Sequence, residues 1–316
     1  MSQSSNRASQ ISAVSRRLDR RVVFLVVALP LAAYVAELAR HVVRSRSERT
    51  VVARIKDAGG TVHYDYQTTS DFLRADAPPR GAYLVRSLFG NDVYATANTV
   101  FFEGPTTSNR DVSLIPELPH VTSVWLTGAA VTDACVDDLL RIASLDAINL
   151  TSTSISPEGL RRISSSRPLK QVVLRGSSVS DAHLRALSRA GSIEFLYIAD
   201  AVITDDGVDA VTDLRGLRIL VMLECPNVTD AGVVRLTRLE HLCVVGSPLT
   251  DACLGPIGAS ERLRRLTLGG AFSDDGQVSL RQRLPRCYIR FVPIAADVNH
   301  RSDETDGEPS DPAASP

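Results

Sequence analysis

Five aspartates recur along this chain, Asp133, Asp181, Asp205, Asp230 and Asp251, each directly after a Thr or Ser. Carboxylates at regular intervals invite a calcium array. Calcium takes six to eight converging oxygens per ion, whereas these acids come singly, each at the start of a short amphipathic stretch. The Thr or Ser therefore reads as a helix N-cap, and the aspartate as a first-turn residue favoured by the helix dipole. Pro157 after Ser156 supports this, because proline prefers the first helical position. The other chemistry-bearing residues form no set. His41, His63, His120, His183, His241 and His300 include no close pair. No Ser-His-Asp arrangement, phosphate loop or GxGxxG motif is present, so the reading is of a non-catalytic chain with no cofactor and no metal. The cysteines, Cys135, Cys225, Cys243, Cys253 and Cys287, include no CxxC pair.

The elements that position these residues follow from one register. Aligning Val121, Leu145, Leu169, Ile193, Leu217, Leu239 and Leu263 gives spacings of 24, 24, 24, 24, 22 and 24 residues. Self-similarity at this period marks a solenoid of strand-plus-helix units. Apolar pairs three and five positions after each start, from Val124/Leu126 to Leu266/Leu268, face one side of a short strand. Stacked units make a parallel sheet. A preceding unit starts at Ala97, with Val100 and Phe102 inward and Leu114 and Leu118 in its helix. The unit at Leu263 degrades, and Arg281 is expected in place of a core residue. A last strand runs from Cys287 to Val292. The register also explains the cysteines. Cys135 and Cys253 share one position five units apart, roughly 24 Å at ~4.8 Å per strand step. That exceeds the about 7 Å that a disulfide can bridge. They read as small apolar fillers.

The register isolates an unusual surface. Positions two, four and six after each start face away from the helices. They hold Trp125, Val173, Arg175, Phe195, Tyr197, Ile219, Val221, Leu223, His241 and Val245. A soluble monomer has little reason to show such a stripe. These residues are the candidate site for a protein or peptide partner, with aromatic anchors. The competing explanations are strand propensity and cover by another segment.

The remaining regions bound the assignment. The 316 residues are 44% hydrophobic with a formal charge of −1, which fits a globular chain and argues against a nucleic-acid partner. Residues 1–21 read as a disordered basic N-terminus. Residues 22–40 carry no charge from Val22 to Val35, contain Pro30, and are flanked by Arg16, Arg17, Arg20 and Arg21 on one side and Arg40 and Arg44 on the other. A signal peptide lacks its small-x-small site here, and a buried helix would not carry such flanks. A single-pass signal anchor fits best, with the N-terminus cytoplasmic and the repeats outside the cytoplasm. Residues 41–96 form a juxtamembrane helix and an α+β N-terminal cap, including a strand over Thr61–Tyr66 and a helix over Ala82–Phe89. The repeats occupy 97–292. Residues 293–316, with six acids, read as a disordered tail.

Two resemblances follow from these residues. The blocks Val131-Thr132-Asp133, Ile203-Thr204-Asp205-Asp206-Gly207-Val208 and Val228-Thr229-Asp230-Ala231-Gly232-Val233 resemble leucine-rich repeats of the cysteine-containing, ribonuclease-inhibitor-like type. That implies an α/β leucine-rich-repeat solenoid, with the parallel sheet concave and the helices convex. Gly59-Gly60-Thr61-Val62-His63-Tyr64-Asp65-Tyr66 and Leu88-Phe89-Gly90-Asn91-Asp92 resemble the N-terminal blocks of bacterial membrane-anchored leucine-rich-repeat proteins. The resemblance implies an anchored module with exposed repeats and no known activity. A structural, self-associating envelope component and a soluble adaptor of the substrate-recruiting kind are the alternatives. Relatives of the latter kind carry an F-box where this chain has its apolar segment.

Overall fold

A computed structural model describes residues 28–67, 78–79, 81–104 and 106–293. The expected disordered N-terminus, residues 22–27 of the expected anchor, and the tail from residue 294 lie outside the described residues. The described residues form two compact units, divided after residue 101, with residues 114–122 belonging to the first and 102–113 to the second.

In the first unit, α1 (Leu29–Asp57) is one continuous helix, with Pro30 in its first turn, where the missing N–H costs nothing. It runs unbroken into residues 41–57, which were expected to continue the preceding segment helically. Its two halves differ. Leu29, Leu31, Tyr34, Val35 and Val43 are exposed, whereas Ser45, Glu48, Val51, Val52 and Ile55 are buried. Among the described residues no helix is long and apolar enough to cross a membrane. β1 (Thr61–Tyr64) stops two residues short of expectation, and α2 (Tyr83–Phe89) follows. β1 pairs antiparallel with β2 (Ala97–Glu103). The Asn91-Asp92 turn is tied to α1: Arg49 donates to Asp92 at 2.6 Å, and the Ser45 hydroxyl donates at 3.0 Å. Burial pushes the Asp92 carboxyl up, but these hydrogen bonds outweigh it and hold the group below its ordinary value. Glu48, whose own burial dominates, is held above the ordinary carboxylate value.

The second unit repeats one strand-plus-helix step. Its strands are β3 (Ser123–Thr127), β4 (Ala147–Thr151), β5 (Gln171–Arg175), β6 (Phe195–Ala199), β7 (Ile219–Leu223), β8 (His241–Thr250), β9 (Arg265–Ala271) and β10 (Tyr288–Val292). Each is parallel to the next, in chain order. The intervening helices are α3 (Asn109–Val112), α4 (Val136–Arg141), α5 (Pro157–Ser166), α6 (Asp181–Leu187), α7 (Asp205–Thr212), α8 (Asp230–Val233), α9 (Leu254–Ile257) and α10 (Asp274–Arg283). The expected strand pairs, such as Val172/Leu174 and Leu220/Met222, are buried.

The helical core is counted from the N-cap. Four and seven residues after Ser108, Thr132, Ser156, Ser180, Thr204, Thr229 and Thr250 stand buried apolar residues, from Val112 and Ile115 to Leu254 and Ile257. This corrects two expectations. Val112 and Ile115, not Leu114, take these two positions in the first repeat. After Ser273 the seventh residue is Leu280, which is buried, and the fourth is Gln277. Gln277, not Arg281, is thus the polar intruder. Arg281 lies over the Phe291 ring at 5.2 Å.

The aspartates do more than favour their own helices. Asp181 accepts from the backbone N–H and the hydroxyl of Thr204, the next unit's N-cap, both at 2.8 Å. Asp133 does the same to Ser156, Asp205 to Thr229, Asp230 to Thr250 and Asp251 to Ser273. Asn109 makes the equivalent pair with Thr132. The approach is close. A Cβ on Gly159 would stand 2.2 Å from an Asp133 oxygen, and one on Gly207 2.2 Å from an Asp181 oxygen, with Gly232 and Gly276 in the same position.

Cys135 and Cys253 take the glycine's place at two joints, and a third joint loses its linking side chain altogether. Pro157 replaces the aspartate, so no carboxylate reaches Ser180. There His183 replaces the glycine. Its Nδ1 accepts from the Ser180 N–H at 3.2 Å, and its Nε2 donates to the Ile155 carbonyl at 3.2 Å. A neutral ring with its proton on Nε2 satisfies both groups. His183 is thereby a buried structural link rather than a functional histidine.

Candidate protein-binding face

Strand pairing turns the sequence positions into rows. The middle row runs Trp125, Asn149, Val173, Tyr197, Val221, Cys243, Thr267 and Arg290 on successive strands. Beside it lie Gln171, Phe195, Ile219, His241, Arg265 and Tyr288. On the other side are Thr151, Arg175, Ala199, Leu223 and Val245. Adjacent members of a row are ~4.8 Å apart, so side chains on neighbouring strands touch.

The structure brings together Val173, Phe195, Tyr197, Ile219, Val221, Leu223, His241 and Val245 on four adjacent strands, β5 to β8. They are half-buried, because each shields its neighbours on the same face. Trp125 stands apart. On β4 the intervening face residues are Ala147, Asn149 and Thr151, with the Thr151 hydroxyl donating to Asn149 Oδ1 at 2.7 Å. The stripe expected from Trp125 to Val245 is therefore interrupted. Trp125 is 37% exposed, and its indole N–H donates to Ser123 at 3.0 Å.

Arg175, expected at the rim, is paired: its Nε lies 2.6 Å from the Asp200 carboxylate. Hydrogen bonding to Asp200 raises the guanidinium further above its ordinary value. Asp200 sits at the strand-end turn with φ +50°, a left-handed conformation that aspartate tolerates.

The far end of the face was expected to carry Arg265 at its rim, as Arg175 rims the other end. β10 had been read only as a closing strand, yet its pairing puts Tyr288 beside Arg265 and Arg290 beside Thr267. Tyr288, Arg265 and Arg290 are all exposed. Carried one strand further, the positional rule that picks out Tyr197 also picks out Tyr288 and Arg290. Burial pushes the half-buried Cys243 thiol up, with the Arg290 guanidinium opposing the shift. Next to this end, Gly269 leaves a gap between Val245 and Val292. A cavity of about 600 Å³ opens there, lined also by Glu224, Pro226 and Pro248.

Among the described residues no group of three or more His, Cys, Asp or Glu gathers to hold a metal. All five cysteines are free. Burial pushes the thiols of Cys135 and Cys253 up to about 12 and that of Cys225 up to about 11, as fits apolar fillers.

This arrangement is an α/β repeat solenoid. Solved structures similar to it are internalins of Listeria monocytogenes. One internalin matches with a TM-score of 0.44 and 19% identity over 57% of this chain, and the match spans 50% of the internalin's own length. Internalin C2 matches with a TM-score of 0.44 and 16% identity, covering 64% of this chain and 82% of that one. No family model matches the chain. No curated protein matches it either.

Proposed function

We propose that this chain is a non-catalytic binding module that engages a protein or peptide through the helix-free face of β5 to β8. The observation that carries the reading is the block of apolar side chains formed by Val173, Tyr197 and Val221 with Phe195, Ile219 and Leu223 on four adjacent strands. Such a block, with rigid aromatic members, is the kind of surface that anchors a partner. The substitutions Tyr197→Asp and Val221→Asp together test it. They abolish capture of the partner in pull-downs from cells making the full chain, while the melting profile stays cooperative. Undiminished capture by the folded variant would falsify the reading. Size measurements over a range of concentrations separate a partner-binding face from a self-associating one.

Residues 22–40 anchor the module in a membrane, with the N-terminus cytoplasmic and the repeats outside. The support is the arginine cluster before residue 22 and the exposed Leu29, Leu31, Tyr34 and Val35 in the first half of α1. Carbonate extraction tests the anchor, which keeps the chain in the membrane pellet; release into the supernatant overturns it.

A further inference from the structure

The binding face is not uniform along its length. Its middle is apolar, from Val173 to Val245, and its last two strands carry Arg265 and Arg290. No aspartate or glutamate occupies any position of the three rows. The acids nearest the face lie off it. Asp200 is paired with Arg175, and Glu240 with Arg218 at 2.8 Å. Glu224 stands at the strand-end turn beside Gly246. Arg265 and Arg290 make no ion pair among the described residues, in contrast to Arg175 at the other end. His241 stands beside Arg265 in its row.

Resting on the binding role proposed above, we infer that the partner is a segment of another protein that is both apolar and acidic. Its apolar residues lie over Tyr197 and Val221 and its carboxylates against Arg265 and Arg290. Charge complementarity carries the assignment: two guanidiniums with no ion-pair partner among the described residues offer forked donors that match carboxylates. The same asymmetry fixes the direction in which the segment lies.

The test uses the full chain in detergent micelles and three synthetic polymers of matched length: poly(Glu,Tyr), poly(Glu) and poly(Lys,Tyr). The chain binds poly(Glu,Tyr) about tenfold more tightly than either of the others, and the advantage shrinks in high salt. The double substitution R265E/R290E, at exposed positions that leave the core intact, lowers that affinity by about tenfold or more. R265K/R290K retains most of it. Equal affinity for poly(Glu) and poly(Glu,Tyr), or R265E/R290E without effect, overturns the inference. If Tyr197→Asp still weakens poly(Glu,Tyr) binding when R265E/R290E does not, the apolar face stands and only the acidic preference falls. If neither variant has an effect, both readings fall. A chain ending at Pro293 that binds poly(Glu,Tyr) about tenfold more tightly than the full chain assigns the arginines to the chain's own acidic residues 294–316, and so overturns an external acidic partner.

Discussion

The two sides of the repeat sheet obey different rules. On the helix side, unit after unit places a carboxylate against the next unit's N-cap, and the same two positions of each helix enter the core. On the helix-free side, rows that share one backbone register hold Asn149, Val173, Tyr197, Thr267 and Arg290 in turn. Where side chains bond from unit to unit, the residue is dictated by its neighbours. Where they face away from the helices, the register sets only direction, and residue type is free to suit something outside the chain.

The sharpest test of the dictated side is the joint where Pro157 stands in place of the linking aspartate. His183→Gly removes the partners of a backbone N–H at Ser180 and a carbonyl at Ile155, and costs about 2–4 kcal/mol. Adding Pro157→Asp restores the aspartate–glycine joint and recovers most of the loss. Denaturant unfolding measures both, and a double variant no more stable than His183→Gly alone breaks the comparison. Gly207→Ala is next. The added methyl forces Asp181 away from Thr204, at a cost of about 1–3 kcal/mol. In the Asp181→Ala background the same change is nearly neutral or stabilising, because alanine favours the helix by ~0.5–1 kcal/mol. Additive losses in that cycle would show that the clash is not the cause.

The free side behaves oppositely. Thr267→Val or Ala147→Ser on the face changes stability by no more than about 0.5 kcal/mol. Larger losses in thermal melts would mean that the face, too, is constrained from within. The smallest effect is chemical. Cys243 and Cys287, both half-buried, react with an aromatic disulfide reagent at pH 8. Cys135, Cys225 and Cys253, whose burial keeps the thiol protonated far above that pH, react only on unfolding. Fast labelling of Cys135 would contradict its place in the core.

This division explains what could be read from residues alone. The strand pairs and the N-caps were legible because a 24-residue period repeats them. The link between Asp181 and Thr204 was not, although an aspartate followed by a later glycine recurs along the chain at Asp133/Gly159, Asp181/Gly207, Asp205/Gly232 and Asp251/Gly276. Reading it requires knowing that the two positions meet across a unit boundary. The helix positions in the two flanking repeats were misassigned because they were counted from the strand, whereas the N-cap sets helical phase. On the binding face, Asn149 in β4 and Arg290 in β10 hold the same register position as Tyr197, so both lay within reach of the positional rule, which had followed chiefly the apolar members.

The carboxylate-to-cap joint also makes the units exchangeable parts. Removing residues 205–229 would splice Thr204 directly onto Asp230, bring Gly232 to the position Gly207 holds against Asp181, and leave Asp230 facing Thr250 as before. Every carboxylate-to-cap joint in the shortened array would already exist in the parent, while β6 would take β8 as its new neighbour. Length is thus a separable property of this architecture. Tandem duplication or loss at such a seam would lengthen or trim the binding rows by one strand, and loss would bring Arg265 and Arg290 one strand closer to Tyr197 with the cap joints unchanged.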